Sequence, residues 1–377
     1  MSLMTIARRF GYLLIFLAAT CAVARAGGTD ENPQSTKAAD APQQFAPMGD
    51  FRLQSGEVIH DFHLGYRTVG KLNKARSNAV LWPTWLGGKS EDLLSYVGPN
   101  NVVDTQQYFA ILVDSIGDGV STSPSNSASQ PRLQFPKFTI RDLIEAEHAL
   151  ATEVFHIPHL RAVLGISMGG MQAFEWVTAY PDFMDAAVAI AGSPQTTSYD
   201  DLLWTAQIDA LELDPEWDAG NGTKPMPAGY AVLNEIGSMA STSPAYRVAM
   251  TSPKDFPAFI VATRKETVGW APSACDMIRQ REAIMALDVA AEHGETLPQA
   301  ARRVHAKMLV VVSPEDHTVN PLPAQTLARA GGWPVVTLDS SCGHQSLSCI
   351  STGALVVQFL AAPESVRSRT LAGGPKE

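Results

Sequence analysis

The chain has 377 residues, 45% of them apolar and 18% charged, with a formal charge of −10 at pH 7. That is material for one large core, or a core with an inserted lobe. So acidic a protein has no electrostatic reason to hold nucleic acid or anionic lipid. Four cysteines are too few for a disulfide-built scaffold.

Residues 1–26 read as a secretory leader. Arg8 and Arg9 open it, an uncharged, mostly apolar run follows from Phe10 to Val23, and Ala24-Arg-Ala26 offers small residues for cleavage. The apolar run falls short of the roughly 20 residues that span a bilayer. An uncleaved anchor is the alternative, while lipidation at Cys21 is disfavoured by the Ala-Ala-Thr before it. Loss of this leader removes three arginines and no acid, taking the formal charge to −13. An exported, periplasmic or secreted protein is expected, with no stable membrane insertion. Residues 27–50 are rich in Gly, Pro, Gln, Ser and Ala and read as a flexible tether.

From Phe51 short strand-like runs appear: Asp61 to Val69, Ala79 to Trp85, and Tyr108 to Asp114. Ala110-Ile-Leu-Val-Asp114 is apolar throughout until its last residue, as a strand buried on both faces would be. His156-Ile-Pro-His159 carries a proline between its histidines and reads as a turn, and no other Cys/His grouping has zinc spacing. Thr139, with Asp142 three residues on, is a capping-box start for a helix running to about Val154. Leu160 to Ile166 is the next strand, followed by a helix from about Met168 to Tyr180 that Pro181 stops, and then by the strand Ala186 to Ala191. This alternation indicates a parallel sheet covered by helices, an α/β fold.

After Gly192 the rhythm breaks. Residues 193–306 contain helical patterns (Asp200 to Leu213, Ala231 to Ala240, Asp255 to Thr267, Ala274 to Ala291) and no obvious strand. A segment this long is not a loop; it reads as a helical lid inserted between two parts of the sheet domain, 51–192 and 307–362. The second part carries the strand Met308 to Ser313, a helix from Leu322 to Ala330, the strand Val335 to Leu338 and a last helix from Ser346 to Leu360. Residues 363–377 are polar and read as a mobile tail.

The chemistry concentrates at Gly165-Ile-Ser-Met-Gly169, which fits the nucleophile elbow G-x-S-x-G of the α/β-hydrolase fold. A serine in a tight strand-to-helix turn points its hydroxyl away from the sheet, and the helix dipole behind it favours a developing oxyanion. The serine hydroxyl is a weak nucleophile until a base takes its proton, and the base must be held by an acid. Four histidines follow Ser167 in the chain. His293 and His305 read as solvated, and His317 adjoins the acid candidate. His344, after the last strand and preceded by Gly343, is the strongest base candidate. Asp316, directly after the strand ending at Val312, ranks first as the acid, ahead of Asp339 and Glu315. The oxyanion donors expected are the N–H of Met168 and one from the loop Pro83-Thr-Trp-Leu-Gly-Gly88, Trp85 or Leu86. Trp85 reads equally well as a wall of the acyl pocket. Of the cysteines beyond the leader, Cys342 and Cys349 are the nearest pair, with three free thiols as the alternative. No cofactor or metal is expected, and a homodimer is left open.

Leu164-Gly-Ile-Ser-Met-Gly-Gly-Met-Gln-Ala-Phe-Glu-Trp176, Tyr180-Pro-Asp182, Tyr66-Arg-Thr-Val-Gly-Lys-Leu-Asn73 and Ser123-Pro-Ser-Asn126 together resemble homoserine O-acetyltransferase and its α/β-hydrolase relatives. The resemblance runs from about residue 51 to 361. It implies a triad at Ser167, Asp316 and His344 and a helical lid. Two departures bear on substrate. Members acting on homoserine carry an arginine in a lid Gly-Leu-Ala-x-Ala-Arg pattern, where this chain has Gly229-Tyr-Ala-Val-Leu-Asn234; asparagine lacks the charged fork that grips a carboxylate. The family's Gly-His-Asp-x-Phe is here Gly343-His-Gln-Ser-Leu347. Export also separates the protein from acetyl-CoA. The sequence therefore favours an exported serine esterase on a small ester, over an acyltransferase to an alcohol or amine, and over a binding protein on an inactive hydrolase fold.

Overall fold

The computed structural model describes residues 41–374. The expected leader, the first part of the tether and residues 375–377 lie outside the described residues. Nine strands form one sheet: β1 Gln44–Arg52, β2 Val58–Val69, β3 Ala79–Pro83, β4 Phe109–Val113, β5 Leu160–Ile166, β6 Met184–Ile190, β7 Lys307–Val312, β8 Val335–Asp339 and β9 Arg369–Ala372. Their spatial order is β1-β2-β4-β3-β5-β6-β7-β8-β9. β2 runs antiparallel to β1 and β4, and every other pairing is parallel.

The central strands are apolar on both faces because both faces are covered. On one side Leu81, Ile111, Val113, Val163, Ala187 and Val310 pack with the helices α1 Ile140–Ala149 and α2 Met168–Ala179. The intervening residues Val80, Leu112, Leu164, Val188 and Leu309 face the other side, with Val356 and Phe359. Thr139 caps α1 through the reciprocal box with Asp142.

Two expectations are corrected at the sheet edges. The tether ends before Gln44, since β1 pairs with β2 from Gln44 to Arg52, with register shifts around Met48 and Asp50. An edge strand is held chiefly by its backbone ladder, so Phe45 stays half-exposed and the apolar pattern is weak. The tail is likewise ordered in part: β9 extends the sheet in parallel beside β8, and Val366 is buried. The last helix is also two helices. A short one covers Ser346–Cys349, the second covers Gly353–Ala361, and Ile350 between them is extended.

The inserted segment is helical, as expected: α3 Ser198–Glu212, α4 Pro227–Ala240, α5 Pro244–Met250, α6 Phe256–Thr263 and α7 Ala271–Met285. It has a small core of its own, with Leu211, Trp217, Met226, Tyr230, Leu233, Ala274, Cys275 and Ile278. The boundary at 306 moves inward. Ala283, Ile284, Leu287, Val289, Ala300 and Ala301 belong to the main core, so α7 starts in the lid and ends in the sheet domain.

Candidate active site

Ser167 joins β5 to α2 in a conformation L residues avoid, φ 56° and ψ −121°. Its N–H donates to the Ile190 carbonyl at 2.8 Å, and its carbonyl accepts from Met171 N–H at 3.0 Å, so strand and helix both hold the turn. Glycine is required beside it: a Cβ on Gly165 would lie 1.9 Å from the Gly169 carbonyl oxygen.

His344 Nε2 lies 3.0 Å from Ser167 Oγ, and its Nδ1 lies 2.7 Å from Asp316 Oδ2. Imidazole and carboxylate are both buried. The other carboxylate oxygen of Asp316 accepts from Thr318 and Val319 N–H, at 2.9 and 2.8 Å. These bonds fix the plane of the carboxylate and leave Oδ2 to orient the imidazole. The acid loop is tied in turn to the start of the inserted segment, where Asp200 accepts from Asn320 N–H at 2.9 Å. The structure therefore brings together the serine, acid and base ranked first. Asp339 and Glu315 are exposed, as are His293 and His305, and His305 pairs with Asp182. His317 packs toward Tyr199 instead of the serine.

Met168 is the first residue of α2, where N–H groups have no partner within the helix. The loop after β3 is secured next to it by residues that motif reading passed over. Gln172 donates to the Thr84 carbonyl at 3.1 Å, and Thr84 Oγ1 bonds Ser115 Oγ at 3.1 Å. All three residues are fully buried. Gln172 stands one helical turn after Met168, a spacing that could have drawn attention to it. Further along the loop, Gly87 N–H donates to Gln280 and Gly88 N–H to the Trp85 carbonyl, which commits both groups elsewhere. Trp85 is buried with its ring against Gly88. In the lid, Asn234 donates to the Thr267 carbonyl at 2.9 Å. Among the described residues no group of His, Cys, Asp and Glu is arranged to hold a metal ion.

A family model described as the alpha/beta hydrolase family matches residues 80–358. The chain belongs to this family. Within the alpha/beta hydrolases it is related both to esterases and to homoserine O-acetyltransferases. It is 36% identical over 191 residues to the ethyl acetate hydrolase of Pseudomonas veronii, covering 50% of this chain and 55% of that protein. It is 37% identical over 217 residues to the homoserine O-acetyltransferase of Geobacter sulfurreducens, covering 52% and 57%. The chain thus matches little more than half the length of these curated relatives. In three dimensions it matches the acetyl esterase MekB with a TM-score of 0.78 and 27% identity, over 87% of this chain and 99% of that one. The motif resemblance to homoserine O-acetyltransferase and its α/β-hydrolase relatives thus holds at the level of the alpha/beta hydrolase family, with both esterases and homoserine O-acetyltransferases among the relatives.

Proposed function

We propose that the protein is a serine esterase acting on small esters through an acyl-enzyme. The observation that carries this reading is His344, whose two ring nitrogens face Ser167 Oγ and Asp316 Oδ2. Ser167 attacks the ester carbonyl while His344 Nε2 takes its proton. Asp316 holds the imidazole tautomer and stabilises the imidazolium that forms. The oxyanion is stabilised by the N–H of Met168 and that of Trp85. His344 returns the proton to the leaving alcohol, then activates water to release the acid.

Water is preferred to an amino-acid acceptor because Asn234 stands where homoserine-acylating relatives carry arginine, and its amide already bonds the lid backbone. The likeness to an ethyl acetate hydrolase and an acetyl esterase supports a short acyl chain. Export through a leader at residues 1–26 belongs to the same proposal. Among the described residues no helix is long and apolar enough to cross a membrane.

The test compares wild type with S167A on short-chain nitrophenyl esters, with and without alcohol or amine acceptors, alongside labelling by a fluorophosphonate. Serine-dependent turnover that is insensitive to acceptor is expected. Turnover that rises with acceptor and yields acylated product would establish the transferase reading. The absence of serine-dependent turnover and labelling would overturn both.

A further inference from the structure

The base stands on a segment with little structure of its own. Gly343–Gln345 is a single tight turn, followed by the four-residue helix Ser346–Cys349. Turns so short are not self-supporting. On one side the segment is held by the inserted lobe: Ser243 N–H donates to the Ser341 carbonyl and Gln345 N–H to the Ser241 carbonyl, both at 3.1 Å. On the acid side Gly343, at φ +59°, fits so closely that a Cβ would lie 2.7 Å from the Glu315 carbonyl oxygen. The remaining side is closed covalently. Cys342 and Cys349 form a disulfide across a sequence separation of 7, and His344 lies inside that loop. Cys342 is buried and Cys349 packs against the apolar cluster beneath β7 and β8, so the bridge ties the turn to the sheet domain.

We infer that the Cys342–Cys349 disulfide is a positioning element for His344, so that the oxidised chain is competent and cleavage of the bridge slackens the base without unfolding the domain. The inference rests on the triad reading above. Displacement of a reacting group by about 1 Å costs on the order of a hundredfold in rate. With the bridge open, the far end of the turn is held by Ile350 N–H to the Ser346 carbonyl at 2.8 Å and by Ser346, whose N–H and hydroxyl both donate to the Gly343 carbonyl. A dithiol reductant delivers two electrons and two protons to the S–S bond. It leaves thiols on Cys342 and Cys349 and becomes a disulfide itself; oxidised glutathione reverses the change and departs as two thiols. Cys275, the other cysteine among the described residues, lies buried in the lid core with its thiol pushed up to about 12 by burial, so it is no exchange partner.

The experiment uses the full chain in three forms: oxidised, reduced with dithiothreitol under native conditions, and C342S/C349S, with C275S as a control. Thiol titration establishes the state of the bridge and circular dichroism the fold. On loss of the bridge, kcat for a nitrophenyl acetate falls about tenfold or more, KM changes by less than about twofold, and reoxidation restores wild-type turnover. The far-downfield proton resonance of the His344 Nδ1–H to Asp316 bond weakens in parallel. If the double variant does not fold, reduction of the folded wild type carries the test. Unchanged kcat and an unchanged proton resonance, with both thiols free, would overturn the inference. If even the oxidised protein turns over no ester, the esterase reading fails, and the resonance still decides the role of the bridge.

Discussion

Replacing Glu147 by glutamine raises stability, and by an amount that grows with pH. Glu147 lies on α1, fully buried, with Oε2 accepting from Trp176 Nε1 at 2.6 Å and Oε1 without a partner. Burial pushes its carboxyl from 4.5 up to about 8, although the Trp176 hydrogen bond works in the opposite direction. The folded chain thus keeps a proton that the unfolded chain gives up. Stability from this group is complete below about pH 4.5 and is lost progressively as pH rises toward 8. Between those limits the linkage amounts to about 5 kcal/mol, of which about 3 kcal/mol is lost by pH 7. Glutamine keeps an acceptor for Trp176 and places an unpaired donor where the protonated acid has one, so the two neutral forms are closely matched. Urea unfolding of wild type and E147Q at intervals from pH 5 to 9 measures the difference. It should be about 1 kcal/mol at pH 5 and rise by about 1 kcal/mol or slightly more for each pH unit up to 8. A difference that stays level with pH would refute the reasoning, because a carboxylate already ionised at pH 5 in the fold leaves no proton to lose.

D316N removes the charge that stabilises the His344 imidazolium and lets an amide compete for the wrong tautomer, so kcat should fall by about a thousandfold or more with the fold intact by circular dichroism. G343A places a methyl against the Glu315 carbonyl at positive φ, so both the melting temperature and kcat should drop, at a cost of about 1–3 kcal/mol. Wild-type values in either measurement would count against the close fit of base and acid loops. Q172A deletes the donor to the Thr84 carbonyl next to the elbow and should lower kcat by about tenfold with little change in KM; a KM effect alone would assign Gln172 to substrate binding. Cys275 should resist iodoacetamide at pH 8 in the native protein and react once it is unfolded, as mass spectrometry would register.

What the sequence disclosed and what it concealed divide along physical lines. Strands β5 and β7, buried on both faces, and the capped helix α1 announce themselves because burial dictates residue type at every position. The triad was legible for a similar reason. The strained turn at Ser167 demands Gly165, and chain order limits where acid and base can stand. Strands β1 and β9 were missed because edge strands are held by backbone hydrogen bonds that leave little trace in side chains. The break at Ile350 went unseen because Val356, Phe359 and Leu360 continue an apolar helical pattern past Cys349, whereas the Cys342–Cys349 bridge is local and stands out as the nearest pair of cysteines. The contacts of Ser241 and Ser243 with the base loop are backbone bonds between segments about 100 residues apart in sequence, and small polar residues give no hint of them.

Helix α7 carries a consequence for exchanging parts between relatives. Its first half seals the lid core, but Gln280 reaches the Gly87 N–H and the Ile116 carbonyl, and Ile284 lies in the main core. A transplant cut at residues 193 and 306 would carry away part of the main hydrophobic core, Ala283, Ile284 and Leu287 included, and replace it with side chains shaped for another sheet. The workable seams lie farther in, near Leu213 after α3 and Trp270 before α7. Between them lies the stretch that carries Asn234, but it also carries Ser241 and Ser243, whose backbone bonds hold the base loop, so an exchange for that of a homoserine-acylating relative must preserve those two contacts.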